Sequence, residues 1–164
     1  MMVLECIKSR RSIRKYSEEK LDEQCVYQII ESAIWAPSGK NRQPWRFKII
    51  TDKCLVEQLS KLSVNRIWMR TAPCLVAVFL DRNSSYDYIK DVQSCGAAIQ
   101  NMLLTAHELG IGSCWIGDLL KRSDEIKTIL QLDDRLDLMG VVSLGYRRCE
   151  PVNVGRKDIN EFLI

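Results

Sequence analysis

Two short stretches of the chain concentrate side chains able to bind an anion and a heterocycle. In Ser9-Arg10-Arg11-Ser12-Ile13-Arg14-Lys15-Tyr16, an extended backbone places Arg10, Ser12 and Arg14 on one side, because side chains along a strand alternate with a period of two. Two guanidinium forks and a hydroxyl on one side suit a phosphate, since each fork matches two phosphate oxygens with parallel charge-assisted bonds. Read alone, the same stretch also fits a solvated basic surface or a nucleic-acid patch. The second stretch, Pro37-Ser38-Gly39-Lys40-Asn41-Arg42-Gln43-Pro44-Trp45, sets Ser38, Asn41 and Gln43 beside an aromatic ring. Neutral amides and hydroxyls pair with carbonyls and ring nitrogens without bringing a charge into a half-apolar site, so they suit the edge of a heterocycle. Proline, serine, glycine and asparagine are equally what an ordinary turn between helix and strand uses.

The elements around these stretches follow from hydrophobic spacing. From Asp22, Val26, Ile29, Ile30, Ala33 and Ile34 fall on one helical face and Pro37 ends the pattern, so a helix delivers its carboxyl end to the polar loop. Trp45 to Ile50 alternates as a strand with one exposed face, and Asp52 caps a helix that turns Leu55, Val56, Leu59 and Leu62 inward. The unbroken apolar run Cys74 to Leu80 predicts a central strand buried on both faces. A long helix follows from about Asp87 to Leu109, with Ile89, Val92, Ile99, Met102, Leu103 and Ala106 inward and Gly110 as its stop; Gly96, Ala97 and Ala98 leave it narrow enough for close approach. A strand near Ser113 to Ile116, a helix near Ser123 to Leu130 and a strand near Leu138 to Leu144 complete the set. Helices and strands intermixed in this order predict an α+β fold with a mixed central sheet flanked by helices on both faces.

Composition narrows the chemistry. Twenty-four basic residues against 21 acidic ones give a net charge of +3, too mild to mark a nucleic-acid binder by its field. The 7 cysteines form no Cys-X-X-Cys and sit largely in apolar runs, which predicts reduced, mostly buried thiols, no metal site and a cytoplasmic protein. No apolar run is long enough to span a bilayer, and the amino terminus lacks the pattern of a signal peptide. The single histidine, His107, sits in a helix beside Ala106 and Leu109 and reads as a packing or surface residue. Gly-X-Gly-X-X-Gly and Gly-X-Ser-X-Gly are both missing, which argues against a dinucleotide fold and a hydrolase elbow.

Taken together, Arg10, Arg11, Ser12 and Arg14, followed by Ala36, Pro37, Ser38, Asn41, Gln43, Pro44 and Trp45, resemble the amino-terminal signature of the nitroreductase family, Arg-Arg-Ser-x-Arg and then Ala-Pro-Ser-x-x-Asn-x-Gln-Pro-Trp. The resemblance continues through Asn65, Ala72-Pro73, the Gly96-Ala97-Ala98 helix, Trp115-Ile116-Gly117 and Leu144-Gly145-Tyr146, so residues 1–164 are read as one nitroreductase-like domain. It departs at Arg147 and Arg148, where many relatives carry proline, and the tail from Cys149 matches loosely.

The resemblance implies a homodimer with FMN at the subunit interface, NADH or NADPH as co-substrate, and a small acceptor such as a nitroaromatic or a quinone. The flavin phosphate is expected on Arg10, Ser12 and Arg14, completed by Arg156 near the carboxyl end, with Arg11 also among the cofactor-binding residues. Pro37, Ser38 and Asn41 are expected to reach the flavin from the other subunit, Asn65 to bind the pyrimidine edge, and the backbone at Ile116, Gly117 and Asp118 to lie near the flavin N5. A missing side chain at Gly117 lets main chain approach a flat ring. No catalytic side chain is named, because hydride transfer belongs to the cofactor. A dehalogenase or flavin-destroying enzyme on the same cradle, a flavin carrier or sensor, and a nucleic-acid module using Arg10 to Lys15 are the competing readings. No membrane or nucleic-acid partner is expected.

Overall fold

Residues 2–152 and 154–164 are described by a computed structural model of the chain. Its frame is four strands, β1 (Trp45–Ile50), β2 (Cys74–Asp81), β3 (Gly112–Ile116) and β4 (Leu136–Gly145), in the order β1-β2-β4-β3. Neighbours pair antiparallel, so Trp45 lies opposite Leu80, Leu80 opposite Asp137, and Ile116 opposite Val141. The start of β1 and the end of β3 therefore lie at the same end of the sheet but on opposite edges. A parallel bridge from Ser12 to Ser113 lays the arginine-bearing segment along the outer side of β3.

β2 is buried along its whole length, as its unbroken apolar sequence requires of an interior strand. Its residues alternate between two cores. Val76, Val78 and Leu80 pack with Val26, Ile29, Cys95, Ile99 and Met102 of α2 (Glu23–Ile34) and α5 (Tyr88–Glu108). Leu75, Ala77 and Phe79 face the other way, toward Val56 and Leu59 of α3 (Lys53–Lys61) and Ile126 and Leu130 of α6 (Ser123–Leu130). This is the expected α+β architecture with helices on both faces. The four strands pair antiparallel throughout where a mixed sheet was expected, the one parallel pairing among the described residues being the isolated Ser12 bridge. Full burial of each such side chain stabilises the fold by about 1.5–3 kcal/mol, so the sheet is the rigid reference for the loops at its ends.

Aspartates set the starts of the helices. Asp22, Asp52 and Asp87 each accept a bond from a backbone N–H of the first turn, at 3.0 Å from Gln24, 2.9 Å from Leu55 and 3.1 Å from Lys90. At the other end of α5, Gly110 takes φ +74°, a conformation that favours glycine. The inward stripe of α5 differs from expectation at its start. It runs through Asp91, Cys95, Ala98, Ile99, Met102 and Ala106, while Ile89 and Val92 are 71% and 37% exposed. Near its first turns the helix is one stripe out of phase with the apolar pattern, because Asp91 turns inward to collect the backbone N–H groups of Tyr86 and Asp87 at 2.7 and 3.0 Å. Space beside Gly96 is taken by the Trp115 ring, 3.8 Å from where a Cβ would stand.

Candidate active site

The arginine segment follows a short helix, α1 (Val3–Ser9), and is pinned to the sheet at several points. Ile13 N donates to Ser113 O at 2.9 Å, Ser17 N to Tyr146 O at 2.9 Å, and Arg148 N to Lys15 O at 2.9 Å. Tyr16, 4% exposed, donates its hydroxyl to Ile13 O and meets Ser143 Oγ, each at 2.7 Å; burial pushes its ionisation far above the ordinary range. Gly112 and Gly145 permit this close lie. A Cβ on Gly145 would stand 2.6 Å from Pro73 Cδ and 2.7 Å from Tyr16 Cδ1, and one on Gly112 would stand 2.8 Å from Ile13 Cγ2.

The resulting alternation sorts the arginines. Ser12, Arg14 and Arg10 all lie close enough to the Cys114 thiol to act on it. Burial raises the Cys114 thiol above its ordinary value against these three neighbours. Arg10 is lowered by burial and then by the charges of Arg156 and Arg11, the expected result of cations gathered in one place. Among the described residues Arg10, Arg14 and Arg156 form no ion pair with a carboxylate. Cations gathered without carboxylates are able to receive an anion. Arg11 turns elsewhere: its guanidinium donates to Lys8 O at 2.6 Å and Arg10 O at 2.9 Å, and it lines a neighbouring cleft of about 510 Å³ with His107, Glu108 and Arg147. His107 Nε2 lies 2.7 Å from Ser9 Oγ, and burial, then Arg10, Arg147 and Arg11, lower its pKa.

β3 leads from this cluster to a second group of polar residues. At its end Gly117 is exposed, and a Cβ there would meet nothing within 4 Å. The Asp118 carboxylate accepts from Ser63 Oγ at 2.8 Å and Val64 N at 2.9 Å through one oxygen, and from Asn65 Nδ2 at 3.2 Å through the other. Asn65 in turn starts α4 (Arg66–Met69), and its Oδ1 accepts from Trp68 Nε1 at 3.2 Å. Asn65 and Ile116-Gly117 are therefore neighbours, and β3 joins them to Ser12, which bridges Ser113, over about 13 Å, four residue steps of strand.

The Pro37–Pro44 loop lies at the start of β1, on the far edge of the sheet. Lys40, Asn41 and Gln43 all have positive φ, at 53°, 52° and 51°. Such conformations in non-glycine residues cost energy and gather at functional sites. The loop is stabilised from within by Gln43 N donating to Ser38 Oγ at 3.0 Å and Gln43 Nε2 to Asn41 O at 3.2 Å, and from outside by Tyr86, over which Lys40 Nζ sits at 4.3 Å. Pro37, Asn41 and Arg42 are exposed. Four strand spacings separate this loop from the arginine segment, roughly 19 Å, with α2 and α5 covering one face of the sheet and α3 and α6 the other.

The structure thus gathers Arg10, Ser12 and Arg14 around Cys114, with Arg156 close enough for its charge to act on Arg10, sets Asn65, Ile116 and Gly117 at the other end of β3, and holds Pro37, Ser38 and Asn41 apart from both. Sequence reasoning gave no role to the side chains of Ser63, Asp118 or Trp68. The Asn65 to Trp68 spacing, one helical turn, was the available signal for the last.

Comparison with known proteins identifies the family and the fold. The model of the nitroreductase family matches residues 7–68 and 56–146. A provisionally named NADH dehydrogenase/NAD(P)H nitroreductase of Archaeoglobus fulgidus is 35% identical over 152 residues, 89% of this chain and 87% of that one. An iodotyrosine deiodinase of Hydra vulgaris is 28% identical over 200 residues, covering 95% of this chain and 70% of its own. The crystal structure of a provisionally named nitroreductase of Desulfovibrio desulfuricans, in complex with FMN, superposes with a TM-score of 0.95 at 37% identity, over 100% of this chain and 96% of the other.

Proposed function

The chain belongs to the nitroreductase family, and from that premise we propose that it is an FMN-dependent oxidoreductase, its 164 residues forming one domain that works as a homodimer. When bound, FMN supplies the redox chemistry, taking hydride from NADH or NADPH and passing electrons to a small acceptor such as a nitroaromatic or a quinone. The observation that carries this reading is the cluster of Arg10, Arg14 and Arg156, without carboxylate partners among the described residues, at one end of a strand whose other end opens at Gly117.

The chain's own residues bind and align. Arg10, Ser12, Arg14 and Arg156 hold the phosphate, and Arg11 orders the segment through the carbonyls of Lys8 and Arg10. Asn65 meets the pyrimidine edge, and the backbone of Ile116 and Gly117 lies against the ring. No side chain is assigned as an acid or base.

The loop of Pro37, Ser38 and Asn41 serves the site of a second copy. Its distance from the arginine segment within one chain supports this, as do the exposed Tyr27, Ile34, Trp35, Ile89 and Val92 of α2, its carboxyl cap and α5, an apolar face fit for contact between subunits. The 7 free cysteines suit the cytoplasm, and among the described residues no helix is long and apolar enough to cross a membrane.

Purified protein is expected to be yellow, to release FMN on acid precipitation, and to oxidise NADH or NADPH steadily with a quinone. A colourless protein that cannot be reconstituted with FMN overturns the reading, and bound FMN without turnover turns it into that of a carrier. The resemblance to iodotyrosine deiodinase gives a second reading, reductive dehalogenation on the same cradle, read out as halide release from a halogenated phenol.

A further inference from the structure

We infer that Trp68 is a positioning residue for flavin binding: its indole N–H fixes the side-chain amide of Asn65 in one orientation against the Asp118 carboxylate. This rests on the reading of Asn65 as a contact of the flavin's pyrimidine edge. An asparagine amide presents two donors on Nδ2 and two lone pairs on Oδ1, and its ends are interchangeable unless the surroundings distinguish them.

Here they do. Nδ2 donates to Asp118 Oδ1 and Oδ1 accepts from Trp68 Nε1, both at 3.2 Å. Turning the amide over would set its oxygen against a carboxylate and its N–H groups against an indole N–H, two repulsions in place of two bonds. Asp118 is itself immobilised by Ser63 Oγ and Val64 N, so the arrangement is closed on three sides.

One N–H and one lone pair of Asn65 stay uncommitted, in fixed positions beside Gly117. A donor and an acceptor side by side match an imide-like edge of adjacent carbonyl and N–H groups, which is what the pyrimidine end of a flavin presents. Without the indole N–H, the amide loses the partner that marks its oxygen end, and part of the ordering must come from the ligand. The indole body is meanwhile half-buried against the second core, so phenylalanine keeps an aromatic, smaller ring there while removing the donor.

The test is fluorescence titration of apoprotein with FMN and with riboflavin, which lacks the phosphate. Trp68→Phe is expected to weaken both ligands by the same factor, about five- to tenfold, as loss of a hydrogen bond at the ring end requires. Arg14→Ala is expected to weaken FMN alone. In an Asn65→Ala background Trp68→Phe should cost nothing more, because the indole acts only through that amide; a merely structural tryptophan would weaken binding by its own factor in either background.

Unchanged FMN affinity in Trp68→Phe, or losses that multiply in the double variant, overturns the inference. If Trp68→Phe does not fold, exchange of the Trp68 indole proton in the unsubstituted holoprotein decides: retarded tenfold or more against an exposed indole supports the bond, and exchange at the solvent rate overturns it. Failure of the underlying reading looks different. Unsubstituted protein would then not bind FMN, or Asn65→Ala would leave its affinity intact.

Discussion

The arginine segment and the proline-bounded loop are the two polar stretches that stand out in the sequence, and the fold treats them in opposite ways. Residues Ser12 to Ser17 are extended, bonded to β3 and to the residues after β4, and anchored by the buried Ile13 and Tyr16. Residues 37–44 are largely exposed up to the buried Pro44, carry three left-handed non-glycine residues, and hold their shape through their own side chains and one tyrosine outside the loop. The first is a rigid extension of the sheet. The second is a strained projection that exposes Asn41 at the far edge of the sheet from its own chain's arginine cluster. A ligand site built from both has a fixed half and a half delivered by a neighbour.

The largest test of that contrast mixes subunits. Combining Arg14→Ala and Asn41→Ala chains should place both defects in one site of the heterodimer and leave its other site intact, so heterodimers recover about half the FMN capacity that both parents lack. If the two residues served one site in the same chain, every site would carry a defect and none would recover. Flavin content of isolated heterodimers is the readout.

A smaller effect distinguishes the stiffness of the two regions. An added methyl at Gly145 meets the ring of Pro73 and the buried Tyr16, whereas one at Gly39 meets Tyr86 Cδ1 at 2.8 Å, a ring 42% exposed and free to swing. Gly145→Ala should therefore destabilise by about 2–3 kcal/mol and Gly39→Ala by about 1 kcal/mol or less, read from urea midpoints. Equal losses would mean that the loop is as tightly built as the segment.

The smallest effect is a pH dependence confined to the arginine side. His107 is lowered from its ordinary 6.5 by burial and by Arg10, Arg147 and Arg11, so the unfolded chain binds its proton more readily than the folded one. Its contribution to stability is intact above 6.5 and is lost as pH falls through that value toward the lowered one. His107→Gln should flatten this slope in denaturation curves collected between neutral and mildly acidic pH, while Asn41→Ala should leave it unchanged.

Much of this was legible beforehand because it follows from local rules. The apolar run at Cys74 could only be an interior strand, the aspartates before α2, α3 and α5 mark helix starts, and the period of two put Arg10, Ser12 and Arg14 together. What could not be read depended on long-range packing. Nothing near Ile89 announces that Asp91, two residues on, turns inward and shifts the stripe; nothing near Asn65 says that Asp118 arrives from the end of β3 to meet it. Arg11 carries the same residue type as its neighbours, and only the alternation of the extended segment sends it to a different cleft.

Tyr86 links the core to the projecting loop: its backbone N–H is held by the wholly buried Asp91, and its ring fills the space beside Gly39 under the ammonium of Lys40. Over evolutionary time positions 39 and 86 should drift together. A lineage that acquires a side chain at 39 must move or shrink the ring at 86, and one that loses the tyrosine relaxes the demand for glycine, so an alignment of relatives should show these two positions changing in concert although they lie 47 positions apart in the chain.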